Sequence, residues 1–118
     1  MKNVEITVII SVKKKFFSPA VFSLGFPEGV VGTVKISAAN IDVHKQGAVL
    51  LITDNADLAR SFINRGLKSS YTVFIGESSR LGNELENVTD VWSPFDENVI
   101  LKKRYLLLLD YIRAVFSA

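Results

Sequence analysis

The chain has 118 residues, 48 % of them apolar, and its 14 basic and 12 acidic side chains leave a formal net charge of +2. That length suits one domain with a real core and is too short for two. The near-balance of charge behind a pI of 9.0 is not the clustered cationic face that a nucleic-acid binder needs.

The absence of cysteine excludes a disulfide scaffold, a thiol nucleophile and a thiolate metal site, and the single histidine, His44, excludes a histidine-rich one. No stretch reaches the roughly 18 uninterrupted apolar residues of a membrane span. Met1–Glu5, followed closely by Lys13-Lys14-Lys15, lacks the apolar length of a signal peptide. These features predict a cytoplasmic protein or domain. The basic runs Lys13–Lys15 and Lys102-Lys103-Arg104 read as solvated helix starts or faces.

In chain order, Ile6-Thr7-Val8-Ile9-Ile10 is β-branched throughout and predicts a strand buried on both faces. Phe16 to Leu24 could form a helix entered through Pro19, where a proline is tolerated. The turn signal Phe26-Pro27-Glu28-Gly29 leads into Val30–Ile36, whose alternation fits an edge strand. Asn40 to Gln46 is short and polar, and His44 within it reads as a surface loop residue. Ala48–Ile52 is a third strand. Asp54-Asn55 offers an N-cap to a helix over Ala56–Ile63, with Gly66 placed to end it. Tyr71–Ile75 is a fourth strand, and Ser78–Leu85 a weak helix cut by Gly82. Glu84, Glu86 and Asp90 form a loose solvated acidic patch. Thr89–Trp92 is the last strand, with Trp92 suited to core or interface.

The final helix runs from near Asp96 to about Phe116. On a helical wheel Leu101, Leu108, Tyr111, Ile112 and Val115 form one stripe, with Ile100 at its margin, and this stripe is expected to face the core. Leu106, Leu109 and Val99 fall on the other side among Lys102, Lys103, Asp110 and Arg113. An apolar centre with a charged rim is the anatomy of a modest interface. A surface of Leu106, Leu109, Lys102, Arg113 and Trp92 is therefore expected to carry a weak homodimer or to dock on an adjacent domain.

Strands alternating with helices predict an α/β fold with a parallel sheet. Right-handed crossovers, with the most apolar runs at the centre, give the order 2-1-3-4-5 and helices on both faces. The competing topology is an antiparallel hairpin of the first two strands, turning at Gly25–Gly29.

Two segments carry a family resemblance: Leu50-Leu51-Ile52-Thr53-Asp54, and Val91-Trp92-Ser93-Pro94-Phe95-Asp96. With the order of elements around them, the chain resembles a response-regulator receiver domain of two-component signalling, in a degenerate form. The resemblance implies a flavodoxin-like fold, a bacterial signalling role and a single domain of the kind that forms the N-terminal part of a larger regulator. It puts the phosphoacceptor position at Asp54, with Thr53 an equally good register. It also implies an acidic pair after the first strand, a hydroxyl after the fourth, and Lys-Pro, commonly joined by a cis peptide, after the fifth.

At those positions this chain has Lys13 and Lys14, then Gly76 with Ser78 slightly further on, then Ser93 before Pro94. A hard dication needs carboxylate oxygens, and phosphoryl transfer needs metal and cations against the developing charge. No metal site, no cofactor and no catalysis are therefore expected. Asp54 reads as a helix cap or as the partner of a fixed ion pair with Lys13 or Lys14. The function expected is a non-catalytic module working through protein contacts. The alternatives are a receiver phosphorylated on Asp54 and a small phosphocarrier-type enzyme component. The latter needs Cys or His after the first strand, where Ser11-Val12-Lys13 stands.

Overall fold

A computed structural model describes residues 4–12, 26–36, 47–66 and 68–117 of the chain. The helix expected over Phe16–Leu24, the segment Asn40–Gln46, and Lys13 and Lys14 lie outside the described residues. Five strands, β1 (Val4–Ser11), β2 (Val30–Ile36), β3 (Ala48–Thr53), β4 (Ser70–Ile75) and β5 (Asp90–Trp92), form one sheet in the order β2-β1-β3-β4-β5. Every pairing is parallel. Val4 stands opposite Val30 and Ile10 opposite Ile36, so the hairpin alternative is excluded and β2 is an edge strand as its alternation predicts. The arrangement is the flavodoxin-like α/β fold.

Helix α1 (Ala56–Asn64) and helix α2 (Asn98–Ser117) cover opposite faces, and a 3-10 segment, Ser78–Asn87, breaks at Gly82. The two faces follow from the period of two along a strand. On the α2 side lie Ile6, Val8 and Ile10 of β1, Leu50 and Ile52 of β3, Val73 and Ile75 of β4, and Trp92. On the other side Ile9, Val49 and Leu51 meet Phe62 of α1, and Phe74 meets Ala56, Ala59 and Leu81. All six residues of β3 are buried. Gly66, at φ +61, follows the C-cap residue Arg65 and ends α1 in the left-handed conformation that suits glycine there. Among the described residues, no helix is long and apolar enough to cross a membrane.

The buried face of α2 differs from the expected stripe. Leu101, Tyr105, Leu108, Leu109 and Ile112 are buried, while Tyr111, Val115 and Ile100 are exposed. The helix is thus rotated by roughly half of the ~100° step between residues. Tyr105 to Leu109 is apolar on every side, so the pattern there sets no phase, and the large Tyr105 ring takes the centre of the contact. Burial pushes the Tyr105 phenol up to about 12 from its ordinary 10.0.

At the sheet edge, a side chain on Gly32 would meet the Phe26 ring at about 2.0 Å. Phe26 folds back over β2 and packs against the α2-side core, so only a residue without a side chain fits beneath it. Overpacking of this kind costs about 1–3 kcal/mol. Gly32→Ala should lower stability by that amount in urea titration, and much less in a Phe26→Ala background, where the space is already open.

Tyr105 sets a pH dependence. The folded chain keeps the phenolic proton that the unfolded chain releases near 10.0. Above that point the unfolded state binds fewer protons, and stability falls as pH rises from 10.0 to about 12. Urea midpoints measured across this interval should show the decline in the wild type and a shallower one in Tyr105→Phe.

Candidate functional site

In an open parallel sheet the functional crevice lies beyond the carboxyl ends of the strands. Thr53 ends β3 fully buried, and Asp54 is the next residue, also buried. The Thr53 hydroxyl accepts the Asn55 N–H at 3.0 Å. The Asn55 side chain in turn accepts the Leu58 N–H at 3.1 Å and is the N-cap of α1. The capping role open to Asp54 therefore belongs to Asn55. Ser11 stands opposite Thr53 across the β1–β3 ladder.

Beyond β4 and β5 lies an open groove of about 720 Å³, lined by Gly76, Glu77, Ser78, Arg80, Val91, Trp92, Ser93, Pro94 and Phe95. Four of the positions singled out in the sequence (Gly76, Ser78, Ser93 and Pro94) thus come together. Asp54 is not among the groove's lining residues. The Gly76 N–H donates to the Trp92 carbonyl at 3.0 Å, which ties the two strand ends. Ser93 serves the loop: its hydroxyl accepts the Phe95 N–H at 3.2 Å, and its carbonyl accepts the Asp96 N–H at 3.2 Å. Ser-Pro-Phe-Asp is accordingly a β-turn with proline at the second position, where its fixed φ is favourable. Phe95, at its corner, is 89 % exposed.

The groove's cation was not visible in the sequence. Arg80 places its guanidinium 5.8 Å from the centre of the Phe74 ring, within the range of a cation–π contact. Its carbonyl accepts a hydrogen bond from Arg60 at 2.7 Å, and Arg60 also pairs with Asp57. No simple spacing rule signals Arg80, because the broken segment at Gly82 sets its direction. Among the described residues, no three Asp, Glu or His side chains gather as metal ligands would.

Two expectations need correction. No cis peptide bond occurs among the described residues, so Ser93–Pro94 is trans, and the ordinary turn it enters already accomplishes the reversal. The expected interface is also largely internal. Trp92 and Leu109 have no exposed surface, because both contribute to the core on the α2 side. The Trp92 indole N–H donates to Asp90 at 2.8 Å. Lys102 and Leu106 are half-buried. Arg113 bonds Asp110 of its own helix through Nε at 3.1 Å and Nη2 at 2.7 Å.

The exposed apolar residues of α2 are instead Val99, Ile100, Leu107, Tyr111 and Val115. Beside them a second open groove, of about 600 Å³, runs between α2 and the start of β4 and β5, with Tyr71, Val88, Asp90, Arg104, Leu107 and Tyr111 in its walls. Tyr111 meets Tyr71 edge-on, with ring centres 6.4 Å apart. Burial, and secondarily the neighbouring Tyr111, hold the Tyr71 phenol above its ordinary range.

The Asn55 cap is the test of how the crevice floor is held. Asn55→Ala should cost about 1 kcal/mol in thermal or urea unfolding, whereas Asn55→Asp should retain most of the stability.

Comparison of the chain with family models, with curated proteins and with solved structures found no match.

Proposed function

We propose that this chain is a non-catalytic signalling module on a receiver-like scaffold, which acts through contact with a protein partner or an adjacent output domain. The observation that carries the reading is the turn after β5. Ser93 occupies the position before Pro94 and commits both its hydroxyl and its carbonyl to the turn. A receiver would present a lysine ammonium there to a phosphorylated carboxylate. The sheet order and the place of Asp54 directly beyond central β3 support the scaffold half of the reading. The residues Ser11-Val12-Lys13-Lys14 after β1 support the non-catalytic half, since they supply no carboxylate to a magnesium ion. A bacterial, cytoplasmic setting belongs to the same proposal.

The alternative is a receiver phosphorylated on Asp54. Incubation with magnesium and acetyl phosphate, followed by intact-mass spectrometry, separates the two. The proposed module gains no phosphoryl adduct, and its amide spectrum around Asp54 does not move with beryllofluoride. An adduct present in the wild type and lost in Asp54→Asn would establish the alternative.

A further inference from the structure

The sequence of α2 has a symmetry that its buried face does not explain. Leu107 sits on the outer surface of the helix and is 61 % exposed. Seven residues before it is Ile100 and seven after it is Ala114, all exposed. Residues seven apart lie almost directly above one another on a helix. Between them lie Arg104 and Tyr111, along one edge of this outer stripe, and Lys103 and Asp110, along the other. The core residues Leu101, Tyr105, Leu108, Leu109 and Ile112 are turned to the opposite side.

We propose that this stripe is a self-association surface, and that its occupant is the α2 helix of a second copy, packed antiparallel about a two-fold axis at Leu107. Such an axis brings each edge of the stripe against the same edge of the mate, read in the opposite direction. Leu107 then packs on its counterpart, and Ile100 meets Ala114 and Val115. On one edge Lys103 meets Asp110 of the mate, and on the other Arg104 lies beside the mate's Tyr111. The symmetry makes each of these contacts twice.

The charge pattern selects both partner and direction. Within its own chain Lys103 makes no ion pair among the described residues, whose pairs are Arg60–Asp57, Arg104–Asp96 and Arg113–Asp110. Arg113 grips one oxygen of Asp110 and so orients the carboxylate, while the residue stays exposed. The Arg104–Asp96 pair is long, at 3.9 Å, and yields readily to a ring of the mate. Parallel packing would bring opposite edges together and set Arg104 against the mate's Lys103, cation on cation, with Asp110 beside Tyr111, so the antiparallel register is the one the charges favour.

This surface supplies the partner for the module proposed above. None of its residues lines the groove beyond β4 and β5, so its failure would leave the phosphorylation reading as it stands. Sedimentation equilibrium of the full chain decides it. The wild type should show a reversible monomer–dimer equilibrium, and Leu107→Glu should be monomeric. Lys103→Glu and Asp110→Lys should each weaken the dimer about tenfold, because each places like charges together twice. Mixing those two variants should recover association, since the mixed pair restores opposite charges at both contacts. Circular dichroism should be unchanged throughout, as all three residues are exposed. A wild type that remains monomeric would overturn the proposal. So would a mixture that associates no better than its components, and this second result does not depend on the folding of Leu107→Glu.

Discussion

Leu50 and Leu51 are successive residues of β3, and neither has any exposed surface. Successive side chains of a strand point to opposite faces, so this pair can be buried only if both faces of the sheet are covered. The rest of the architecture answers that requirement. Helix α2 brings Leu101, Tyr105, Leu109 and Ile112 to one face, and α1 brings Phe62 to the other. Parallel strands need crossovers long enough to return to the same end; the crossover from β3 to β4 supplies α1, while α2 follows β5 and covers the opposite face. The crevice then follows from the topology, because every strand ends on the same side.

Among the described residues, the short polar side chains at that crevice are engaged in local bonding. Thr53 and Asn55 use their side chains to turn the chain from β3 into α1, and Ser93 uses its own to turn from β5 towards α2. These are short polar residues in their usual structural occupations. Arg80 is different: it is drawn over Phe74 while its segment is fastened to α1 through Arg60. Among the described residues the groove is thus lined by turns, with the Arg80 cation oriented at its side.

The strand order was legible because three runs, Ile6–Ile10, Ala48–Ile52 and Tyr71–Ile75, are more apolar than the others and had to be central. The end of α1 at Gly66 and the weak segment around Gly82 were legible from glycine placement. The phase of α2 was not. A helix apolar around its whole circumference from Tyr105 to Leu109 carries no periodic signal, and the fit of Tyr105 into the core decided it. That same rotation moved Leu109 inward and left Leu107 outside. Trp92 failed as an interface residue because the acceptor for its N–H, Asp90, lies two positions earlier on the same strand face, so the ring could be buried without leaving a donor unsatisfied. The bond geometry at Pro94 depends on how the loop is closed, which the dipeptide alone does not specify.

The position of β1 between β2 and β3 has a consequence for synthesis. β1 is made before the other four strands of the sheet and has two hydrogen-bonding edges, and its second neighbour is complete only when the chain reaches Thr53. One apolar face of that strand waits longer still, for α2, whose Leu109 and Ile112 share its cluster. Among the described residues the helix that shares the cluster of Ile6, Val8 and Ile10 is α2, so that cluster is completed only once α2 has emerged. Contacts this distant in sequence make folding slow. The interval before α2 arrives is when this chain is most exposed to mispairing with its neighbours and most in need of a chaperone's cover.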